Sequence, residues 1–178
     1  MTSIVKTFAK TRFGDIAYTD RGEGPAALFV HGVFLNSYLW RGVIDRVADL
    51  RRCLAIDLMA HGATRIAADQ DVSFTAQAEM LEAFCAALGL DQVDLVGNDS
   101  GGGIAQIFAA RHPARIRSLT LTNCDAHDNW PPAAFAPTIK AVQQGRLGEI
   151  GRKLVSDIGF ARAAFAAGYE HPERIAPE

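Results

Sequence analysis

The sequence contains no apolar run long enough to cross a bilayer and no excess of basic residues. Its 18 Lys and Arg stand against 20 Asp and Glu, and the formal net charge of −2 argues against a nucleic-acid partner. No segment combines positive charge with an apolar stretch in the manner of a secretion leader. We therefore expect a soluble, cytoplasmic protein that uses neither a membrane nor a nucleic acid as its partner.

Cysteine is also scarce. The three cysteines, Cys53, Cys85 and Cys124, are widely spaced and lie in apolar stretches. They are interpreted as small core residues rather than as disulfides or a zinc site, and no metal is predicted. A chain of 178 residues, of which 49% are hydrophobic, is long enough to bury the core of one domain.

Apolar strands alternate with helical segments through residues 1–124. The alternation has short links, and it predicts an α/β fold with a mostly parallel sheet that is covered by helices on both faces. The predicted strands are Ile4–Ala9, Asp15–Thr19, Ala26–Val30, Cys53–Asp57, Val93–Gly97 and Ile116–Thr122. The predicted helices are Ser37–Ala48, Ser73–Leu88 and Gly101–Arg111.

The pattern changes after Asn123. A polar hinge precedes three Ala-rich helical stretches, near Ala133–Gln144, Leu147–Ile158 and Phe160–Ala167. These stretches do not continue the strand-helix alternation. We therefore predict that residues 1–124 form an α/β core and that residues 125–178 begin a helical cap.

The most informative segment is Leu95–Gly103, in which an apolar strand runs directly into a cluster of glycines and a helix. Gly97 and Gly101 lie two residues before and two residues after Asp99. This spacing is typical of a nucleophile elbow, where strand and helix pass so closely that only small residues fit beside the nucleophile. The segment therefore predicts a carboxylate nucleophile, Asp99.

A frame shifted by one residue is an alternative. It makes Ser100 the nucleophile, and it places Asn98 where the strand packs most tightly against the helix. A phosphate-binding turn fits poorly, because the pattern G-x-G-x-x-G is absent and Asp99 would repel an anion.

Several further motifs occur in the same order as in a known superfamily. They are His31-Gly32-Val33-Phe34 after a buried strand, Asp57-Leu58-Met59-Ala60-His61-Gly62 after the next, the elbow, and Arg111-His112-Pro113. Over essentially the whole chain the sequence resembles the α/β-hydrolase superfamily. Within it, the sequence is most similar to the branch with aspartate nucleophiles: haloalkane dehalogenases, haloacetate dehalogenases and epoxide hydrolases. Ala60 stands where that family has a glycine.

This resemblance implies a hydrolase that acts without a cofactor on a small-molecule substrate, an organohalogen or an epoxide. Asp99 would form a covalent ester, and the backbone N–H groups of Val33 and Ser100 would form the oxyanion hole. The pocket candidates are His31, Phe34, Trp130 and Tyr169. Asp125 is a candidate for the acid that orients the catalytic histidine.

The resemblance also implies a catalytic histidine that none of His31, His61, His112, His127 and His171 matches. We therefore expect a chain truncated within the cap that is inactive in isolation. A strand edge left open at 116–122 would favour a homo-oligomer or a strand-swapped dimer. Two other functions stay open: a carboxylesterase that uses Ser100, and a non-catalytic fragment or binding module.

Overall fold

The computed structural model describes residues 5–124, 131–166 and 170–175. The chain divides into two compact units, Met1–Asp128 and Asn129–Glu178. No helix in the described ranges is both long enough and apolar enough to span a membrane.

The first unit contains a six-stranded sheet with the order β1-β2-β4-β3-β5-β6. β1 pairs with β2 and β2 with β4 in antiparallel fashion, and the other three pairings are parallel. The strands are β1 Thr7–Thr11, β2 Gly14–Arg21, β3 Ala26–Val30, β4 Arg52–Ile56, β5 Val93–Asn98 and β6 Ile116–Thr122. The α/β fold with a mostly parallel sheet is thus confirmed, although β1 begins later than predicted.

The helices of this unit are α1 Arg41–Val47, α2 Phe74–Ala87 and α3 Ser100–Arg111. The predicted first helix is split, because Ser37–Trp40 forms a 3-10 turn before α1. The predicted N-cap of α2 is confirmed, since the Ser73 side chain accepts a hydrogen bond from the Ala76 N–H at 3.2 Å. α3 begins at Ser100, one residue earlier than predicted.

Apolar side chains cover both faces of the sheet. One face packs against α2 and α3 through a large core that includes Leu28, Phe84 and Phe108. On the other face, Trp40 and Ile44 pack against a smaller cluster with Phe29. Cys53 and Cys85 are fully buried, as expected of small core residues. In contrast, β6 is largely exposed, and the oligomer expected from its edge stays a prediction.

The second unit contains α4 Ala136–Gln143, α5 Leu147–Ser156 and α6 Ile158–Phe165. The predicted break between the last two helices was misplaced. The Asp157 side chain accepts a hydrogen bond from the Phe160 N–H at 2.9 Å and caps α6, so α5 has already ended at Ser156.

Candidate active site

Asp99 lies at the sharp turn between β5 and α3. Its backbone has φ +53° and ψ −133°, a combination that is strained for any residue with a side chain. The Asp99 N–H donates to the Thr122 carbonyl at 3.3 Å, and its own carbonyl accepts the Gly102 N–H at 2.9 Å. These bonds hold the turn in place. Asp99 rather than Ser100 is therefore the residue at the tip of the strand-to-helix turn.

The glycines around Asp99 are required by close packing. A Cβ on Gly97 would lie 2.8 Å from the Gly102 Cα, and a Cβ on Gly101 would lie 2.7 Å from the Val30 carbonyl oxygen. A Cβ on Gly102 would overlap the Cys124 side chain. Contacts of this kind leave no room for a methyl group. The two predicted glycine positions therefore fit an elbow, and Gly102 adds a third that depends on Cys124.

Ser100 is the first residue of α3, and it is buried, with only 3% of the residue exposed. Its Oγ accepts a hydrogen bond from the Val33 N–H at 2.8 Å. The structure thus brings Val33 and Ser100 together beside Asp99, as the sequence predicts. However, the Val33 N–H that was expected to face an oxyanion is bound to the Ser100 hydroxyl instead.

His31 fixes the loop that carries Val33. Its ring is fully buried; Nε2 accepts the Leu58 N–H at 3.0 Å, and Nδ1 lies 2.7 Å from the Gly32 carbonyl oxygen. Nε2 must therefore be the unprotonated nitrogen and Nδ1 the donor. Burial lowers the pKa of His31 to about 4, so the ring is neutral near pH 7. Both nitrogens are engaged, and we assign this predicted pocket residue a positioning role.

Asp57 anchors the far end of the same loop. Its carboxylate is 1% exposed and accepts the Ser37 N–H at 2.9 Å, the Ala63 N–H at 2.9 Å and the Lys6 ammonium at 2.7 Å. Burial alone would raise the pKa of this carboxyl group. The hydrogen bonds from Ala63, Lys6 and Ser37 outweigh burial and lower it overall. Two buried side chains, His31 and Asp57, therefore tie residues 31–37 to the loop after β4.

Phe34 lies in a tight turn closed by the Leu35 N–H, which donates to the Gly32 carbonyl at 3.3 Å. Its φ is +63°, although it is neither glycine nor asparagine. About half of the residue (52%) is exposed. It forms an apolar rim together with three other partly exposed side chains of this loop. The rim consists of Phe34, Leu35, Tyr38 and Leu39.

Asp125, His127, Trp130 and Tyr169 lie outside the described residues. His112 follows the last residue of α3, at the opposite end of that helix from Asp99, and lies 3.7–3.8 Å from two glutamates of α2.

Two more histidines are described, and each lies beside an oxygen atom. The Nδ1 of His61 lies 3.0 Å from the Met59 carbonyl oxygen, and the Nδ1 of His171, in the second unit, lies 3.2 Å from the Glu173 carboxylate. Within the described ranges, no cluster of three or more His, Cys, Asp or Glu side chains could hold a metal ion.

Comparisons with known proteins agree with this fold. A family model described as alpha/beta hydrolase fold matches residues 25–151. A haloalkane dehalogenase of Mesorhizobium japonicum is 38% identical over 143 residues, which cover 79% of this chain and 46% of that protein. A monoacylglycerol lipase of Xenopus laevis is 29% identical over 133 residues, which cover 71% of this chain and 39% of that protein.

The solved structure of an epoxide hydrolase matches with a TM-score of 0.72 at 21% identity, covering 89% of this chain and 58% of that one. At this identity the likeness shows the fold alone. The chain spans less than half the length of the curated relatives it matches. The resemblance predicted from the motifs is confirmed, and the chain belongs to the α/β-hydrolase family.

Proposed function

We propose that Asp99 is the covalent nucleophile of a hydrolase that acts on a small organohalogen or epoxide-type substrate. The observation that carries the proposal is the backbone of Asp99, whose φ of +53° puts its side chain at the tip of the elbow. The next residue, Ser100, is 3% exposed and its Oγ is already hydrogen-bonded to the Val33 N–H. Of these two adjacent residues, Asp99 is the better situated to meet an incoming electrophile.

The first step is a nucleophilic displacement. An Oδ atom of Asp99 attacks the electrophilic carbon, a C–O bond forms, and the C–halogen bond breaks as the halide leaves with its electron pair. With an epoxide, the ring C–O bond breaks, and the ring oxygen takes the electron pair and then a proton from water. Asp99 lies at the N-terminus of α3, where the helix dipole stabilises its negative charge before the attack.

The second step is hydrolysis of the Asp99 ester, which needs an oxyanion hole and a base. The N–H groups of Val33 and Ser100 serve as the donors in this proposal. The Ser100 hydroxyl therefore has to turn away from Val33, or else donate its own proton to the oxyanion. We do not assign any of the four histidines in the described ranges as the base. Each of them already lies beside a backbone group or a glutamate carboxylate. Residues 125–178 are proposed to be part of a helical cap.

The second candidate is a carboxylesterase that uses Ser100. The similarity to a monoacylglycerol lipase favours it, and so does the direct contact of the Ser100 Oγ with the loop that carries Val33. The burial of Ser100 speaks against it, because an ester carbonyl has to reach the nucleophilic oxygen. The two candidates differ in which atom acquires the substrate carbon.

Covalent labelling of the 178-residue chain distinguishes the candidates, since the first step needs no histidine. The chain is incubated with benzyl bromide or styrene oxide, digested, and mapped by mass spectrometry. We expect the adduct on Asp99, well above the background on the exposed Asp69. Asp99→Asn should remove the site-specific label, and Ser100→Ala should retain it. A label on Ser100, or equal labelling of Asp99 and Asp69, would overturn the proposal.

A further inference from the structure

Phe34 combines three properties that together need an explanation. Its backbone is in the left-handed region at φ +63°, which costs a residue with a Cβ roughly tenfold in conformational equilibrium. The residue as a whole is 52% exposed, so about half of its surface is accessible to a ligand. It also follows Val33 directly, and the Val33 N–H lies 2.8 Å from the Ser100 Oγ. Strain of this kind tends to persist where a side chain has a function.

The loop around Phe34 is held from both sides. On one side, His31 bonds to the Leu58 N–H and lies in hydrogen-bonding distance of the Gly32 carbonyl. On the other, the Ser37 N–H bonds to the buried Asp57 carboxylate. Phe34 therefore cannot relax into an unstrained conformation without breaking contacts that are themselves buried. The fold therefore fixes the backbone of Phe34, which is the residue directly after Val33.

The position is also close to the proposed nucleophile. A Cβ on Gly32, two residues before Phe34, would lie within 2.7 Å of the Asp99 Cγ, so the loop backbone passes directly against the carboxylate side chain. The rim around Phe34 presents Leu35, Tyr38 and Leu39, each 37–39% exposed. This loop therefore offers an apolar surface next to the reacting carboxylate.

We infer that Phe34 is a specificity-determining residue, and that the substrate carries an uncharged aryl or bulky alkyl group next to its electrophilic carbon. The ring packs against that group while Asp99 attacks the carbon. This inference rests on the proposed function, and it narrows the substrate class from any small electrophile to an apolar one.

The test compares two neutral electrophiles on the full chain, benzyl bromide and bromoacetamide. The rate of Asp99 modification by each is divided by its rate with acetate in solution, which removes intrinsic reactivity. We expect wild type to favour benzyl bromide, and Phe34→Gly to lower that preference by about tenfold, as for the loss of one aromatic contact. Glycine accepts φ +63°, so the loop keeps its conformation.

Two further variants separate specificity from strain and folding. Ala60→Gly relieves a similar backbone strain at φ +62° in the loop after β4, and it should leave the preference unchanged. Phe34→Asn tolerates positive φ and should reproduce the effect of glycine. The thermal unfolding midpoint of Phe34→Gly should equal or exceed that of wild type, whereas a ring needed for packing would lower it on removal.

The possible results are distinct. Labelling of Asp99 with the same preference in wild type and Phe34→Gly overturns the inference and leaves the proposed function intact. A lower unfolding midpoint in Phe34→Gly, with the preference unchanged, assigns the ring to packing and also overturns the inference. Absence of specific labelling at Asp99 in wild type overturns the proposed function, and the inference falls with it.

Discussion

The buried His31, which fixes the loop that carries Val33, predicts that the stability of the protein depends on pH. His31 is fully buried, its Nε2 accepts the Leu58 N–H, and burial lowers its pKa to about 4. In the unfolded chain the same ring is expected to titrate near its ordinary pKa of 6.5. Between these two values the unfolded chain binds a proton that the folded chain does not. Stability therefore rises with pH across this window.

The magnitude follows from the two pKa values. One pKa unit corresponds to about 1.4 kcal/mol, so the gap between 6.5 and about 4 is worth roughly 3 kcal/mol. This contribution is fully present above pH 6.5 and is lost progressively as the pH falls toward 4. For a domain whose whole stability is on the order of 10 kcal/mol, the loss is large.

The assay is urea-induced unfolding at a series of pH values between 4 and 7. Wild type should show a steep decrease in the free energy of unfolding below pH 6.5. His31→Gln should be less stable at pH 7, because the Leu58 N–H loses its partner, and its pH dependence should be much flatter. His61→Gln is the matched control, since its half-buried ring lies only 5.3 Å away, and it should keep the wild-type slope. Equal slopes for wild type and His31→Gln would show that His31 does not cause the pH dependence.

Three further predictions concern single positions. Ala60→Gly should raise the free energy of unfolding by about 0.5–1 kcal/mol, because glycine removes the strain at φ +62° but increases the entropy of the unfolded chain. A lower free energy of unfolding in urea denaturation would contradict this. Gly101→Ala should destabilise by about 1–3 kcal/mol, since its Cβ would strike a backbone carbonyl; calorimetry that finds a wild-type unfolding temperature would be inconsistent with the elbow packing. Ellman's reagent should modify half-buried Cys124 first, whereas Cys53 and Cys85 should react only on unfolding, since burial raises the pKa of Cys85 to about 12. Faster reaction of either buried thiol would argue against the described core.

The sequence was most informative where close packing restricts residue type. Gly97 and Gly101 could be interpreted from spacing alone, because an elbow leaves no room for a Cβ at either place. The buried strand Ala26–Val30 and the capped helix after Ser73 could also be predicted, since apolar runs and N-cap residues act locally. The positive φ of Ala60 accounts for the glycine that the family has at this position, and it leaves the alanine strained.

Other features depend on contacts between distant residues and were missed. Nothing local to Ser100 indicates that its hydroxyl binds the Val33 N–H, because 67 positions separate the two residues. Gly102 is small because of Cys124, which follows a different strand. The positive φ of Phe34 arises because His31 and Asp57 fix the loop. The residue types in the four-residue turn do not indicate a positive φ at this position.

The proposed mechanism requires that the substrate carbon becomes bonded to the Asp99 carboxylate. The most direct measurement is the chemical stability of the adduct formed with benzyl bromide. An ester on Asp99 is cleaved by hydroxylamine and leaves a hydroxamate that peptide mapping locates, whereas an ether on Ser100 or a thioether on Cys124 survives. We predict complete loss of the label from the Asp99 peptide on hydroxylamine treatment, with the hydroxamate at Asp99. A hydroxylamine-resistant label at Ser100 would contradict it.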